Sequence, residues 1–237
     1  MPGPIHQPHT PRESSIRRLI AGVRTFREQA FPQRKKLFGR LAAGQQPQIL
    51  FIACADSRVV PELITQTNPG ELFVCRNIGN VVPAYGEMLG GVSAVIEYAC
   101  VALEVSDIVV CGHSDCGAMK ALLNPGDPAL QAMPTVASWL RNAEAARSVV
   151  AVTHPELEGP AQLQALVEQN VRTQLSHLAT HPSVAARLAG GQLTMHGWVY
   201  GIESGSITAM ADGGGGFVPL EATAFAAGPG AIRSGAR

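Results

Sequence analysis

Three uninterrupted apolar runs, at residues 48–54, 71–75 and 107–111, do most to limit what this chain can fold into. They do not alternate polar with apolar, so both faces of each segment are expected to be buried, as in the strands of a parallel sheet. The stretch 90–103 between the second and third runs is rich in alanine and suits a helix, giving strand, helix, strand. An α/β fold follows. Residues 161–189 read as two more helices, broken at His181-Pro182 because proline disfavours helix in the residue before it. Residues 192–200 and 206–210 alternate around Glu203-Ser204-Gly205, a hairpin pattern on which the sheet is expected to end.

Ahead of the first run, residues 1–13 carry four prolines and no periodicity and read as an arm. From Ser15, the residues Ile16, Leu19, Ile20, Val23 and Phe26 form one helical stripe, with Ser14 or Ser15 as N-cap. Such a stripe packs either on its own subunit or on a partner. After Gly213 the chain is glycine-rich, so residues 221–237 read as a loose tail. The expected division is an arm over 1–14, one domain over 15–220 and that tail.

At 237 residues and 46% apolar composition, the chain can bury a substantial core. Its formal net charge is zero and lysine occurs only at 35, 36 and 120, which leaves no basic stripe for nucleic acid. No apolar run approaches the ~20 residues that cross a bilayer, and the N-terminus lacks the pattern of a secretory signal. Neither membrane nor nucleic acid is an expected partner, and the expected location is cytoplasmic. Five cysteines, at 54, 75, 100, 111 and 116, form an odd set that argues for thiols or metal ligands over disulfides.

The first and third runs both end in polar chemistry, CADSR at 54–58 and GHSDCG at 112–117. Ligands gather beyond the carboxyl ends of strands in open α/β sheets, so the two segments are placed to converge. Cys54, His113 and Cys116 then form a soft donor set suited to one zinc ion, with a fourth position left for water. Asp56 and Arg58 follow the first ligand closely. A carboxylate there either accepts a hydrogen bond from metal-bound water or swings in to close the site, and a bidentate Arg58 keeps it aside. Cys75, Cys100 and Cys111 read as buried core thiols, His196 as structural, and His6, His9, His154, His177 and His181 as surface residues.

The segments CADSRVVP, GELFVCRNIGN and IVVCGHSDCGAMKALL resemble, in order and spacing, the signature of the β-class carbonic anhydrases, over about residues 15–210. The resemblance implies a three-layer α/β/α fold around a mainly parallel sheet with an antiparallel C-terminal edge hairpin. It implies an N-terminal helical arm that embraces a second subunit, in a homodimer or larger homo-oligomer. The implied activity is reversible hydration of CO2 to bicarbonate and a proton, through hydroxide on one zinc per chain held by Cys54, His113 and Cys116. Asp56 and Arg58 correspond to the family's gating dyad, Gln45 to a substrate-holding glutamine, and Phe73 and Tyr98 to aromatics lining the pocket near the dimer interface. Phe51 stands where members with an inhibitory bicarbonate site carry tryptophan, which makes the chain similar to the plant and cyanobacterial subtype. A small apolar substrate also suits a pocket of Phe73, Ile78 and Val59. Two other readings share the motif: hydrolysis of carbonyl sulfide or carbon disulfide, and an inactive zinc-stabilised scaffold.

Overall fold

The computed structural model describes residues 14–87, 90–211 and 215–223. The arm over 1–13 and the tail beyond Thr223 lie outside the described residues. Contacts divide the chain into two units, Met1–Gln45 and Gln46–Arg237.

The first unit is helical: α1 (Ser15–Thr25), one π-helical turn (Phe26–Ala30), then α2 (Phe31–Gln33) and α3 (Lys35–Leu41). The Phe26, Phe31 and Phe38 rings pack together, with centroids 5.2 to 6.0 Å apart. Ser14 is the N-cap of α1 by backbone only, since its side chain makes no capping bond. The stripe expected on α1 is present but buries none of its residues, and Leu19 is 66% exposed.

In the second unit the elements follow as β1 (Ile49–Cys54), α4 (Pro61–Thr65), β2 (Leu72–Asn77), α5 (Gly91–Val101) and β3 (Asp107–His113). Then come α6 (Gly117–Leu123), α7 (Pro128–Gln131), α8 (Pro134–Leu140), α9 (Glu144–Thr153), α10 (Gly159–Leu178) and α11 (Pro182–Ala189). β4 (Thr194–Tyr200), β5 (Ile207–Met210) and β6 (Phe217–Pro219) close the order. Among the described residues there is one sheet, ordered β2-β1-β3-β4-β5-β6, parallel through β4 and antiparallel beyond it.

The three apolar runs are β1, β2 and β3, and the break at His181-Pro182 separates α10 from α11, as expected. The sheet does not end on the β4–β5 hairpin: β6 pairs with β5 from Thr208↔Pro219 to Met210↔Phe217. Three residues after a glycine run are too few to show a period, and the edge is held by Arg172, whose guanidinium lies 5.2 Å from the centre of the Phe217 ring.

Leu50, Ile52 and Cys54 face the main core with side chains of α5, α6, α9, α10 and α11, while Phe51, Ala53, Val109 and Cys111 form a second cluster on the other face. α10 lies directly on the strands at two glycines. A Cβ at Gly112 would sit 3.0 Å from Val171, and one at Gly197 would sit 2.9 Å from the same residue. Side chains there would push the helix off the sheet.

The strand order also places the site. The chain leaves β1 for β2 on one side, then crosses back through α5 to β3 on the other, so order reverses between β1 and β3. Loops at the carboxyl ends of those two strands diverge and leave a crevice.

Candidate metal centre

Cys54 ends β1 and His113 ends β3; Cys116 follows on the turn into α6, at its N-cap. One ligand atom from each lies within 4.8 Å of the others, and all three residues are buried. The imidazole is preset. His113 Nδ1 is 2.8 Å from the Ser114 carbonyl, which can only accept, so Nδ1 carries the proton and Nε2 presents its lone pair. Nε2 is fully buried with no hydrogen-bond partner. An orphaned imidazole lone pair beside two sulfurs fits a soft cation, and the set of one nitrogen and two thiols fits zinc.

The sulfurs compete for one negative charge. Cys54 is drawn down to about 4, chiefly by the hydrogen bond from the Cys116 thiol, with help from the backbone N–H groups of Asp56 and Gly79, against the cost of burial. Cys116 is pushed up because a Cys54 thiolate accepts its proton and repels a second charge, although the N–H groups of Ala118 and Met119 oppose this. A dication between the sulfurs removes the conflict and favours both thiolates.

Asp56 lies beside the cluster, with Oδ2 3.9 Å from His113 Nε2. Arg58 holds it through its backbone N–H to Oδ1 at 2.9 Å, Nε to Oδ1 at 3.0 Å and Nη2 to Oδ2 at 2.8 Å. These bonds keep the Asp56 carboxyl well below the usual carboxylate range, so it stays ionised. The sequence reading missed three supports. Asp115, in left-handed backbone at φ 59, accepts from Arg58 Nη1 at 3.0 Å and pairs with Lys120. Arg76 donates to the carbonyls of Cys54 at 3.1 Å and Asp56 at 2.6 Å, fixing the turn that carries the dyad. Asn77 stands opposite Cys54 in register, and its carbonyl accepts from Ala55 N–H at 2.8 Å. Asp115 and Arg76 lie within the quoted motifs, but their roles depend on long-range partners.

Other expected site residues are spread out. Ile78 directly follows β2 and is 42% exposed. The Phe73 and Tyr98 rings pack at a tilt with centroids 5.8 Å apart, yet Phe73 lies opposite Leu50, four residues before the Cys54 level and so roughly 13 Å back along the strand. Val59 cannot line an open pocket, since it is fully buried with Phe51 and Ala53 in the second cluster. Phe51 packs edge-on to Trp198 at 5.9 Å. Gln45 is an exposed residue at the end of the first unit.

Cys75, Cys100 and Cys111 are buried free thiols, as expected, and burial pushes Cys111 up to about 12. His154 is a surface residue near Glu156. His181 is not: it is 2% exposed, 3.0 Å from the Pro83 carbonyl, with its ring against Tyr85. The proline after it breaks the helix as read, but the break folds inward. His196 is structural, its Nε2 2.8 Å from Asp107 Oδ1. A cavity of about 350 Å³ opens beside that pair, lined also by Trp198, Met195 and Met210, and contains none of the ligand residues.

The family model that matches, described as carbonic anhydrase, covers residues 49–207. A carbonic anhydrase of Pseudomonas aeruginosa is 54% identical over 205 residues, 86% of this chain and 92% of that protein. The solved β-carbonic anhydrase CcaA superposes with a TM-score of 0.84 at 47% identity, covering 86% of this chain and 91% of that one. One of two tetrameric β-carbonic anhydrases from Sordaria macrospora gives 0.75 at 29% identity, covering 84% and 98%.

Proposed function

Since the chain belongs to the carbonic anhydrase family and catalyses the reversible hydration of CO2 to bicarbonate and a proton, we propose that Cys54, His113 and Cys116 hold its zinc, one per chain. The observation that carries this reading is the buried, unpartnered Nε2 of His113 facing two thiols. Zinc bound by three protein ligands would supply Lewis acidity that brings a water's pKa to about 7.

The chain's own groups do the rest. Asp56, ionised and held by Arg58, accepts a hydrogen bond from the attacking water and so directs its lone pair at the carbon. Arg58 holds the carboxylate aside by a two-point grip, so that Asp56 would not itself bind the zinc. We assign the Gln45 amide to an oxygen of the substrate, supported by its place nine residues before Cys54. Ile78 serves as an apolar wall. The distance of Phe73 and Tyr98 from their own cluster, with Tyr98 49% exposed, supports their use across a subunit interface.

That interface implies a homo-oligomer, which the exposed stripe of α1 and the tetrameric relatives support. Residues 15–220 then act as one functional domain, with the helical arm serving a neighbour. Phe51, apolar and buried against Trp198, supports the subtype without an inhibitory bicarbonate site. No described helix is long and apolar enough to cross a membrane. Five free thiols suit a reducing compartment, and the cytoplasm is the location we propose.

Stopped-flow measurement of CO2 hydration with zinc-loaded protein tests the reading. Acceleration far above buffer, with one zinc per chain, is expected. Folded, zinc-loaded protein no faster than buffer would overturn it.

A further inference from the structure

Asp115 stands between two of the ligand residues, His113 and Cys116, and its backbone is left-handed, at φ 59. Its neighbours force the bend. On one side Ser114 is tied to the far end of β4, its N–H donating to the Tyr200 carbonyl at 2.9 Å and its hydroxyl accepting from Ile202 N–H at 3.0 Å. On the other side Cys116 is already the N-cap of α6. The residue between them must turn the chain, and glycine does this at least steric cost; any side chain there is strained, an aspartate's less than most. The turn alone therefore does not call for a carboxylate.

Nor does stability. The Asp115 side chain is 52% exposed and the Arg58 side chain it meets 44%, and ion pairs so open to water add little to folding. What the carboxylate does is hold one edge of the guanidinium. Asp115 Oδ2 accepts from Arg58 Nη1 at 3.0 Å, and the Asp115 backbone carbonyl accepts from Nη2 at 3.3 Å. Nε and Nη2, along the adjoining edge, donate to the two oxygens of Asp56. Lys120 from α6 takes the other Asp115 oxygen, Oδ1, which leaves Oδ2 to Arg58. A guanidinium is planar and its N–H directions are fixed, so gripping one edge sets where the next one points. Through this grip the turn that carries two ligands from β3 fixes the carboxylate that follows β1.

We propose that Asp115 is a positioning residue for the reaction: by holding the Nη1 edge of Arg58 it keeps the Asp56 carboxylate aimed, and the strained backbone at 115 is retained for that purpose. It touches no substrate itself. Its effect runs through Arg58 to Asp56, so the inference rests on the part given to that dyad above. Two consequences separate it from a residue that only makes the turn. Removing the side chain slows the reaction without weakening the fold, and the loss disappears once the Asp56 carboxylate is gone.

The test compares variants of the full chain loaded with zinc. Asp115→Gly suits the left-handed backbone and leaves the carbonyl contact to Nη2 in place. Its kcat for CO2 hydration should fall about tenfold, less than the 10²–10⁴ expected of the group it aims, with KM unchanged, zinc content unchanged and a urea midpoint no lower than that of the wild type. Asp115→Asn keeps an acceptor but loses the charge that strengthens such bonds, and should fall about threefold. In an Asp56→Asn background either change should alter the residual rate by less than about a factor of two. Full turnover in Asp115→Gly, or the same tenfold loss on top of Asp56→Asn, would overturn the proposal and leave the dyad in place. Should the glycine variant fail to fold, the asparagine variant goes through the same comparison, and a full rate there overturns the proposal equally. Full turnover in Asp56→Asn alone would instead remove the dyad from the reaction, and this proposal with it.

Discussion

Two histidines on neighbouring strands each stand near an aspartate, and they do opposite things. His196, at the level of Val109 in the sheet, closes on Asp107 at 2.8 Å. His113, at the carboxyl end of β3, stands 3.9 Å from Asp56, and its Nε2 has no partner although it is wholly buried. The first pair satisfies itself; the second is kept apart because Arg58 occupies the carboxylate and Ser114 occupies Nδ1. A cavity of about 350 Å³ lies beside the self-satisfied pair. Room alone therefore does not locate chemistry here. What does is a buried group that the chain itself declines to satisfy.

The sharpest way to break this contrast is at the ligands. Cys54→Ala or His113→Ala should lose zinc and slow CO2 hydration by on the order of a thousandfold or more, as expected when a metal's several kcal/mol are withdrawn. Metal analysis beside stopped-flow rates checks it, and a variant keeping full zinc would remove that residue from the set. Next, Asp56→Asn should keep its zinc and lose about 10²–10⁴ in rate, the usual range for a positioned proton-handling group. Unchanged turnover would take Asp56 out of the reaction. At the other end, His196→Leu should leave turnover within a factor of about two and lower unfolding free energy by about 1 kcal/mol, the net worth of one hydrogen bond. Urea denaturation reads that loss, and a tenfold fall in rate would erase the contrast.

The smallest effect concerns a third histidine. Burial lowers the pKa of His181 below 6.5. Below pH 6.5 the unfolded chain thus binds a proton that the folded chain refuses, so this contribution to stability is present above that pH and is lost as pH falls toward the folded value. Urea midpoints should drop between pH 7.5 and 5, and His181→Gln should flatten part of the drop. Equal slopes in the two proteins would show that the ring does not titrate on unfolding.

Much of the site was legible because its residues sit at strand ends, and strands buried on both faces leave continuous apolar runs. Cys54, His113 and Cys116 could be brought together on paper because both polar segments follow strand-like runs, at the carboxyl ends where ligands gather. Other features depend on information a local pattern does not carry. β6 is three residues long, too short for a period, and follows glycines. Asn170 and Gln174 look in sequence like the wet side of a helix; the arrival of Gly79 and Val82, from 91 and 92 positions earlier, helps make that side dry. His181 was misread for the same reason. Phe73 and Tyr98 adjoin each other, but Phe73 stands four residues back from the Cys54 level, so only the family resemblance joined them to the chemistry.

The reversal of strand order has a consequence for biosynthesis. Cys54 emerges from the ribosome long before His113 and Cys116, and in between the chain must lay β2 on one side of β1 and return to lay β3 on the other. A nascent chain that has made only β1 and β2 offers one of the three donors and has little hold on a metal. On the ligand set proposed above, capture of a metal would wait until β1 and β3 have paired, and a bound ion would mark a completed sheet centre.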